Sequence, residues 1–470
     1  MKTKTILVLL DGLDYEFIRE HADELPFFRR LMEQGCLQRL PSVIPADSIP
    51  SWTTIYTGLN PAEHGVLESI DYLDFKNKVN ADSSVIQGRT FWDVLSRQGK
   101  KVFVFNPFMA YPAWDVNGLM ICGPVFEGGD VSVNHPEQVD LKGLPAVGGM
   151  VDHPTNKEMP DFFRNTMELS QRQFDAFHQY FRRQPYDFAF LGITTPDRMQ
   201  HFLWRYTDPE DRTYPGKTEL QDSILRMYQL MEKNVERILR EYGGEYNVAV
   251  ISDHGHGRRC QQVFYINQWL IENGFIPERS RKKRAVEYAK NATLAALTRV
   301  HRVQAGTDFF KRFKVFHKVK NADHVFRAKG AVYAPKFDGV NPYGGISVKR
   351  ECFSSDAEYE KMRQRIIDGL QAVRHDGKPV MRWVKRREEI YQGAKVENYP
   401  EIVYWMESDY GVDRGLYGKR LFGISPFHEV ISGGHQPGGV IMGNREDIRG
   451  VESVLDIHRY IVRISGGKEA

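Results

Sequence analysis

The sequence has few cysteines, no long hydrophobic run and no excess of either charge. Its four cysteines (Cys36, Cys122, Cys260 and Cys352) are scattered over 470 residues without a CxxC pair, which favours reduced thiols over a disulfide framework. No apolar run approaches the roughly 18–20 residues that a membrane-spanning helix needs. With 64 Lys and Arg against 61 Asp and Glu, charge alone gives no reason to expect a nucleic-acid or membrane partner.

The N-terminal segment also lacks the features of a signal peptide. The apolar run that begins at Thr5 ends at Asp11, after about six residues, and no small-residue cleavage site follows it. We therefore expect this segment to be the first β-strand of a cytoplasmic protein.

What the sequence does contain is the composition of a soluble globular protein with a sizeable core. Hydrophobic residues make up 41% of the chain, aromatic residues 12% and charged residues 27%. Apolar runs at 6–10, 102–105, 188–191 and 248–251 alternate with helical patterns such as 219–240. This alternation predicts an α/β fold with a parallel sheet covered by helices on both faces. In such sheets, the functional residues collect at the carboxyl ends of the strands.

A change of composition divides the chain. We expect residues 1–276 to form the first part of the α/β core and residues 330–470 the remainder. Between them, residues 277–329 are basic and helix-prone, beginning with the run Arg281 to Arg284. We interpret this stretch as a solvated amphipathic insertion. A lid over a site for an acidic substrate, or an arm that binds anions or nucleic acid, are the alternatives.

Six acids and imidazoles lie just after predicted strands or in a glycine-rich turn. They are Asp11, Asp197, His201, Asp253, His254 and His435. Each alone has a simpler interpretation, as a helix cap, a surface residue or a turn residue. Together they suit Zn²⁺ or Mn²⁺ and predict a dinuclear site. Asp197 and His201 are four residues apart, so one helical turn would direct both towards the same point.

A serine supplies a candidate nucleophile. Ser48 is predicted to be the N-cap of a helix with Pro50 in its first turn. A metal ion that lowers the pKa of its hydroxyl would make it reactive at neutral pH. Ser51, Thr53 and Thr54 are competing hydroxyls in the same segment, and spacing alone does not choose among them.

These motifs resemble the alkaline phosphatase superfamily. Within it, the chain is similar to the type I phosphodiesterase/nucleotide pyrophosphatase branch and its relatives described as predicted phosphohydrolases or phosphomutases. The resemblance extends over nearly the whole length and implies a three-layer sandwich with an inserted helical cap. The motifs that carry it lie at 8–13, 50–58, 61–66, 197–204, 252–255 and 434–435.

The resemblance also assigns roles. The family's Ser or Thr nucleophile lies nine residues before the Thr of a Thr-Gly pair, and counting back from Thr57 reaches Ser48. Two metals, usually zinc, are implied. One would be held by Asp197, His201 and His435, and the other by Asp11, Asp253 and His254 with Ser48 beside it.

The sequence departs from the family pattern in two places. Ser69 occupies the position of an Asn that binds a phosphate oxygen in nucleotide pyrophosphatases, which makes Ser69 a candidate substrate-binding residue. No match to the active-site Arg of alkaline phosphatases is found. Separately, the sequence lacks the motif that sulfatases need for their formylglycine, so we do not expect a sulfatase.

We therefore expect a hydrolase with two divalent metal ions, Zn²⁺ or Mn²⁺, that cleaves a phosphate ester or pyrophosphate bond through a Ser48 phosphoenzyme. Its substrate would be a small phosphorylated molecule such as a nucleotide or nucleotide conjugate, without a membrane or nucleic-acid partner. A phosphomutase or phosphotransferase with the same intermediate is one alternative. A catalytically silent metal-binding protein is the other.

Overall fold

The structure, a computed structural model, is described for residues 3–66, 83–124, 130–148, 154–277, 285, 288–289, 292, 330–335, 342–416, 420–424, 428 and 430–468. The chain forms two compact units. The first combines Met1–Arg258 with Gly433–Ala470, and the second is Arg259–Ser432.

The strands, in chain order, are β1 Thr5–Leu10, β2 Leu37–Pro41, β3 Val102–Phe105, β4 Gly118–Cys122, β5 Ser132–Val133, β6 Phe188–Ile193, β7 Asn247–Ile251, β8 Gly255–Arg258, β9 Gln262–Tyr265, β10 Val332–Tyr333, β11 Tyr343–Val348, β12 Arg374–His375, β13 Lys378–Pro379, β14 Met381–Arg386, β15 Ile402–Met406, β16 Tyr410–Asp413, β17 Phe422–Ile424, β18 Gly433–Gln436 and β19 Gly438–Gly443. The α-helices are α1 Tyr15–Glu20, α2 Pro26–Glu33, α3 Ser48–Thr57, α4 Pro61–His64, α5 Phe91–Arg97, α6 Met159–Phe181, α7 Thr195–Thr207, α8 Ser223–Tyr242, α9 Ile266–Glu272, α10 Asp356–Gln371 and α11 Ile457–Ile464.

The first unit contains an eight-stranded sheet in the order β2-β19-β7-β1-β6-β3-β4-β5. The five central strands, from β7 to β4, are parallel. The outer strands β19, β2 and β5 pair antiparallel. Strand β1 is buried along its whole length, as expected for a strand covered on both faces. The predicted α/β class and mostly parallel sheet are thus confirmed.

Alternating side chains of the central strands pack against different helix layers. On one face, Leu7 and Phe190 lie in a buried cluster with Trp52 of α3 and Ile461 of α11. On the other face, Phe103 of β3 stacks on Phe177 of α6, with ring centroids 5.5 Å apart. Helices therefore cover both faces of the sheet, and the ends of its strands are left as the place for functional residues.

The second unit has its own core and smaller sheets. Strands β10, β11, β15 and β14 form a four-stranded sheet, and β9 lies between β16 and β17 in another. Ile346 of β11 and Tyr404 of β15 belong to a buried cluster with Ile366 of α10 and Trp269 of α9.

The unit boundaries fall at Arg258/Arg259 and Ser432/Gly433, whereas the sequence suggested an insertion at 277–329. All but a few of residues 277–329 lie outside the described part of the chain, so the predicted helical cap remains a prediction. Among the described residues, no helix is both long enough and apolar enough to cross a membrane.

The glycine-dense segment before Val440 differs from the sequence prediction. Instead of a turn, Gly433–Gln436 forms β18, which pairs antiparallel with β8, and β19 begins at Gly438. Glycine permits this close packing, because a Cβ on Gly433 would lie 2.2 Å from the carbonyl oxygen of Gln200. The prediction of a turn is therefore wrong for this segment.

Candidate metal centre

Adjacent parallel strands bring the three acids to one edge of the sheet. Asp11 directly follows β1, and its N–H donates to the carbonyl of Ile193 at the end of β6 (2.9 Å). Asp197 lies in the first turn of α7, which begins two residues after β6, and Asp253 lies two residues after β7. Because β6 and β7 both neighbour β1, the acids converge at their carboxyl ends.

The first group of potential ligands, here called the serine-side cluster, consists of Asp11, Asp253 and His254. Their ligand atoms all lie within 4.8 Å of one another, and all three residues are buried. His254 Nε2 is 3.3 Å from Asp253 Oδ2 and 3.5 Å from Asp11 Oδ1. Burial, together with the neighbouring Asp253 carboxylate, raises the pKa of Asp11 well above its usual range. This cluster therefore brings two carboxylates together in a space where their charges repel.

Ser48 contacts this cluster. Its Oγ donates to Asp11 Oδ1 (3.2 Å) and lies 3.1 Å from His254 Nε2. The prediction that Ser48 is the N-cap is wrong: Asp47 is the cap and accepts from the N–H of Ile49, and Ser48 is the first residue of α3. Because Asp47 takes the capping role, the Ser48 hydroxyl is available to the cluster.

The competing hydroxyls of α3 have other partners. Ser51 Oγ lies 2.8 Å from Ser42 Oγ. Thr53 Oγ1 donates to the carbonyl of Ile49, and Thr54 Oγ1 lies 3.1 Å from His64 Nε2. Geometry thus distinguishes Ser48 from the other three hydroxyls, a choice that spacing alone had left open.

The second group, here called the histidine-rich cluster, consists of Asp197, His201, His256 and His435. Their ligand atoms also lie within 4.8 Å of one another. His201 Nε2 is 3.3 Å from Asp197 Oδ2, as expected for residues one helical turn apart on α7. His435 Nε2 is 3.3 Å from Asp197 Oδ1 and 3.1 Å from His201 Nε2. Burial opposes ionisation of Asp197, but its contacts with His201 and His435 lower its pKa well below the usual range.

Carbonyl groups orient two of the imidazoles. His201 Nδ1 donates to the carbonyl of Gly433 (3.1 Å), and His254 Nδ1 donates to that of Gly255 (2.9 Å). In each neutral ring the proton therefore lies on Nδ1, and the lone pair of Nε2 faces its cluster. Orientation of this kind is characteristic of histidines that bind metals.

A hydrogen-bonded network lies behind the clusters. Gln200 Nε2 donates to the carbonyl of Gly12, next to Asp11, and its Oε1 accepts from the Tyr228 hydroxyl. The Tyr228 oxygen in turn accepts from the backbone N–H of Asp14. These bonds connect the loop after β1 with α7 and α8, and so fix the acids that the strand ends deliver.

His256 was missed in the sequence. It lies one residue beyond Gly255, two residues from His254, and burial together with His201 lowers its pKa well below the usual range. An alternating His-x-His pattern can direct both rings to one side of a strand, and this was the available signal. What the sequence could not supply is the short strand β8 and its pairing with β18.

The donor sets fit divalent cations. Among the described residues, Asp253 Oδ2 and Asp197 Oδ1 have no hydrogen-bond partner although both atoms are buried. A buried carboxylate oxygen is costly unless a proton, a donor or a cation compensates it. Carboxylates with imidazoles are ligands suited to Zn²⁺ or Mn²⁺. Of the predicted site residues, seven are brought together in this way, and Ser69 lies outside the described residues.

The sequence model of the type I phosphodiesterase/nucleotide pyrophosphatase family matches residues 5–415. Ectonucleotide pyrophosphatase/phosphodiesterase family member 1 from Homo sapiens is 22% identical over 290 residues, which cover 57% of this chain and 25% of that protein. Family member 3 from Rattus norvegicus is 20% identical over 283 residues, covering 57% of this chain and 27% of that protein. The matches thus span about a quarter of the length of these relatives.

Among solved structures, the phosphonoacetate hydrolase from Sinorhizobium meliloti 1021 in complex with phosphonoformate is similar in fold. The TM-score is 0.55 at 15% sequence identity, and the alignment covers 99% of this chain and 96% of that chain. At this identity, the likeness supports the fold and its layered architecture only.

Proposed function

Since the chain belongs to the type I phosphodiesterase/nucleotide pyrophosphatase family, we propose that it is a metal-dependent hydrolase of phosphate ester or pyrophosphate bonds, with Ser48 as nucleophile. The observation that carries the proposal is the contact of Ser48 Oγ with Asp11 and His254, beside a second group of ligands. A hydroxyl in contact with one candidate metal site, with a second candidate site nearby, suits two in-line displacements at phosphorus.

The serine-side cluster would hold one divalent cation and the histidine-rich cluster the other. When bound, such ions supply Lewis acidity, which lowers the pKa of a hydroxyl and neutralises charge on phosphate oxygens. The residues then have separate tasks. The α3 backbone and Asp11 hold Ser48 Oγ in position, and His201 and His254 keep their lone pairs directed inward through their carbonyl contacts.

In the first displacement, Ser48 Oγ forms a bond to phosphorus as the bond to the leaving oxygen breaks. The Ser48 hydroxyl proton is directed at Asp11 Oδ1, the acceptor that it already contacts. In the second displacement, a water oxygen bonds to phosphorus as the bond to Ser48 Oγ breaks, and a proton from this water passes to the departing serine oxygen. Orienting the nucleophile and compensating charge at fixed positions are expected to supply most of the acceleration.

The substrate class remains a small phosphorylated molecule, such as a nucleotide or a nucleotide conjugate. The named relatives are nucleotide pyrophosphatases and phosphodiesterases, which favours a diester or an anhydride over a simple monoester. We propose Zn²⁺ as the bound ion, because imidazole and carboxylate donors suit it, with Mn²⁺ as the alternative.

The test combines metal analysis with turnover. The purified protein is expected to contain about two divalent ions per chain and to hydrolyse bis-(p-nitrophenyl) phosphate faster than p-nitrophenyl phosphate. Its turnover of a panel of nucleotides is then measured. Reaction in ¹⁸O-labelled water should incorporate one labelled oxygen into the phosphoryl product. A product without label, with the phosphoryl group on an organic acceptor, would instead establish a transferase or mutase. Two bound metals without turnover of any phosphorylated compound would favour the silent metal-binding protein.

A further inference from the structure

His256 lies among the ligands of one cluster although the sequence pattern gave it no role. In the β8–β18 pair it stands directly opposite His435, so the two side chains are cross-strand neighbours. Its ring lies 4.7 Å from that of His201, centroid to centroid, at an interplanar angle of 78°. Only 1% of its surface is exposed. The ring therefore borders the cluster and is shielded from solvent.

The backbone that carries this ring is tightly held. Asp14 accepts a hydrogen bond from the backbone N–H of His256. On the opposite strand, a Cβ on Gly433 would lie 2.6 Å from Cε1 of the His256 ring, so the ring occupies space that only glycine leaves open. These contacts fix His256 in place beside Asp197.

The ring nitrogens of His256, unlike its backbone N–H, are not engaged by other described groups. Among the described residues, neither of its nitrogens has a hydrogen-bond partner, although both are buried. Two buried, unsatisfied ring nitrogens are costly in a folded protein. Its Nε2 is 3.4 Å from Asp197 Oδ1, whose own hydrogen-bonding capacity is also unsatisfied. A cation bound between His256 Nε2 and Asp197 Oδ1 would give each of these two atoms a partner.

Three of the donor–donor distances in the histidine-rich cluster agree with those around a tetrahedral zinc ion. Donor atoms about 2.0–2.1 Å from a tetrahedral zinc ion lie about 3.3–3.4 Å from one another. Asp197 Oδ1 is 3.4 Å from His256 Nε2 and 3.3 Å from His435 Nε2. His435 Nε2 is 3.1 Å from His201 Nε2. These three spacings, together with the limit of 4.8 Å that holds between the ligand atoms of all four residues, are compatible with one tetrahedrally coordinated ion.

We propose that His256 is a fourth protein ligand of the divalent cation in the histidine-rich cluster. The proposal rests on the two-metal function proposed above, and it adds a consequence. The serine-side cluster has three protein ligands, with Ser48 Oγ at the remaining corner, 3.1 and 3.2 Å from two of them. The histidine-rich cluster is closed by the protein, so water or a phosphate oxygen enters there only by expanding the coordination number to five.

The direct test is a crystal structure of the zinc-loaded protein with zinc located by its anomalous scattering. His256 Nε2 is expected about 2.0–2.1 Å from the ion in the histidine-rich cluster. A distance above about 3 Å, with Asp197, His201 and His435 bound, would overturn the inference and leave the proposed function intact. If neither Zn²⁺ nor Mn²⁺ binds at either cluster in such crystals, the two-metal function itself fails.

Variants separate a ligand from a residue that only positions Asp197. His256→Gln can still donate to Asp197 but is a poor zinc ligand, whereas His256→Cys supplies a thiolate. In competition with a chromophoric chelator, we expect the Gln variant to lose at least about tenfold in the affinity of one of two zinc sites, and the Cys variant to recover most of it. If the Gln variant kept the original zinc affinity while the Cys variant lost it, the result would contradict ligation by His256. Thermal unfolding of the metal-free forms checks that both variants fold.

Discussion

The two ligand clusters are built from the same residue types, but carboxylates predominate in one and imidazoles in the other. The serine-side cluster combines two carboxylates with one imidazole and is fully buried, whereas the histidine-rich cluster combines one carboxylate with three imidazoles and is partly exposed at Asp197 and His201. In the first, burial and carboxylate repulsion raise the pKa of Asp11; in the second, neighbouring histidines lower that of Asp197. The comparison indicates that the serine-side cluster needs a cation to relieve repulsion, while the other already has partial compensation.

The largest expected effect tests whether the nucleophile belongs to the serine-side cluster alone. Ser48→Ala should reduce turnover of bis-(p-nitrophenyl) phosphate by about 10³-fold or more, because it removes the nucleophile. The metal content should stay near two per chain, since the Ser48 oxygen is one of several donors. Steady-state kinetics and elemental analysis measure the two quantities.

The matched control for that variant is Ser51→Ala. This buried hydroxyl of the same helix bonds to Ser42 instead of the cluster, and its removal should cost about 1 kcal/mol of stability with turnover nearly unchanged. A fully active Ser48→Ala protein would refute the assignment of the nucleophile.

The next effect tests the dependence of stability on the cations. Chelation should lower the free energy of unfolding by about 4 kcal/mol for each site whose metal was present at 1,000 times its dissociation constant. In Asp253→Asn the loss on chelation should be roughly half as large, because one of two sites no longer binds tightly. Thermal or denaturant unfolding with and without chelator measures it.

The control for this comparison is Asp161→Asn, which exchanges an exposed acid whose side chain pairs with Arg164 on the surface of α6. It should show the same chelator effect as the original protein. An unfolding transition that chelator leaves unchanged in all three proteins would contradict the electrostatic account of the serine-side cluster.

The smallest expected effect concerns a buried histidine outside both clusters, whose protonation serves as a comparison for the imidazoles within them. Burial, with Arg237 nearby, lowers the pKa of His178 to about 4, so the folded protein keeps this ring neutral while the unfolded chain protonates near pH 6.5. Stability from this ring is therefore lost as pH falls, by about 2 kcal/mol between pH 7 and pH 5. His178→Gln should flatten the pH dependence of the free energy of unfolding by that amount.

His178 packs beside Tyr242, with Nδ1 2.8 Å from the phenol oxygen, and lies in neither cluster. The same exchange at half-buried His135, which lies outside both clusters, is the control for the substitution itself. If the His178 variant kept the original pH dependence, burial would not explain a neutral imidazole at this position.

Much of the site could be predicted because apolar runs end in acids. The run at 6–10 leads into Asp11 and the run at 248–251 leads to Asp253, and both lie at the carboxyl ends of adjacent strands. The pair Asp197 and His201 was accessible from helical spacing alone. These features depend only on residues that are close together in the chain, so they can be recognised in a single sequence.

Features that depend on pairing between distant segments were not accessible. His256 joins its cluster because β8 pairs with β18, which lies far along the chain. The capping error arose because Asp47 and Ser48 are both competent caps, and only the position of Asp11 and His254 distinguishes them. The pairing of strands in the second unit was not anticipated either, since it joins segments that are distant along a stretch without a motif.

The β8–β18 ladder has a further consequence for how this architecture can vary. Its register joins Arg258 to Gly433, so the long intervening chain begins and ends at neighbouring residues of the first unit. The entropy lost in closing such a segment grows only with the logarithm of its length. What is inserted there can therefore be lengthened, shortened or exchanged at little thermodynamic cost, while the paired imidazoles at the base of the insertion keep their places.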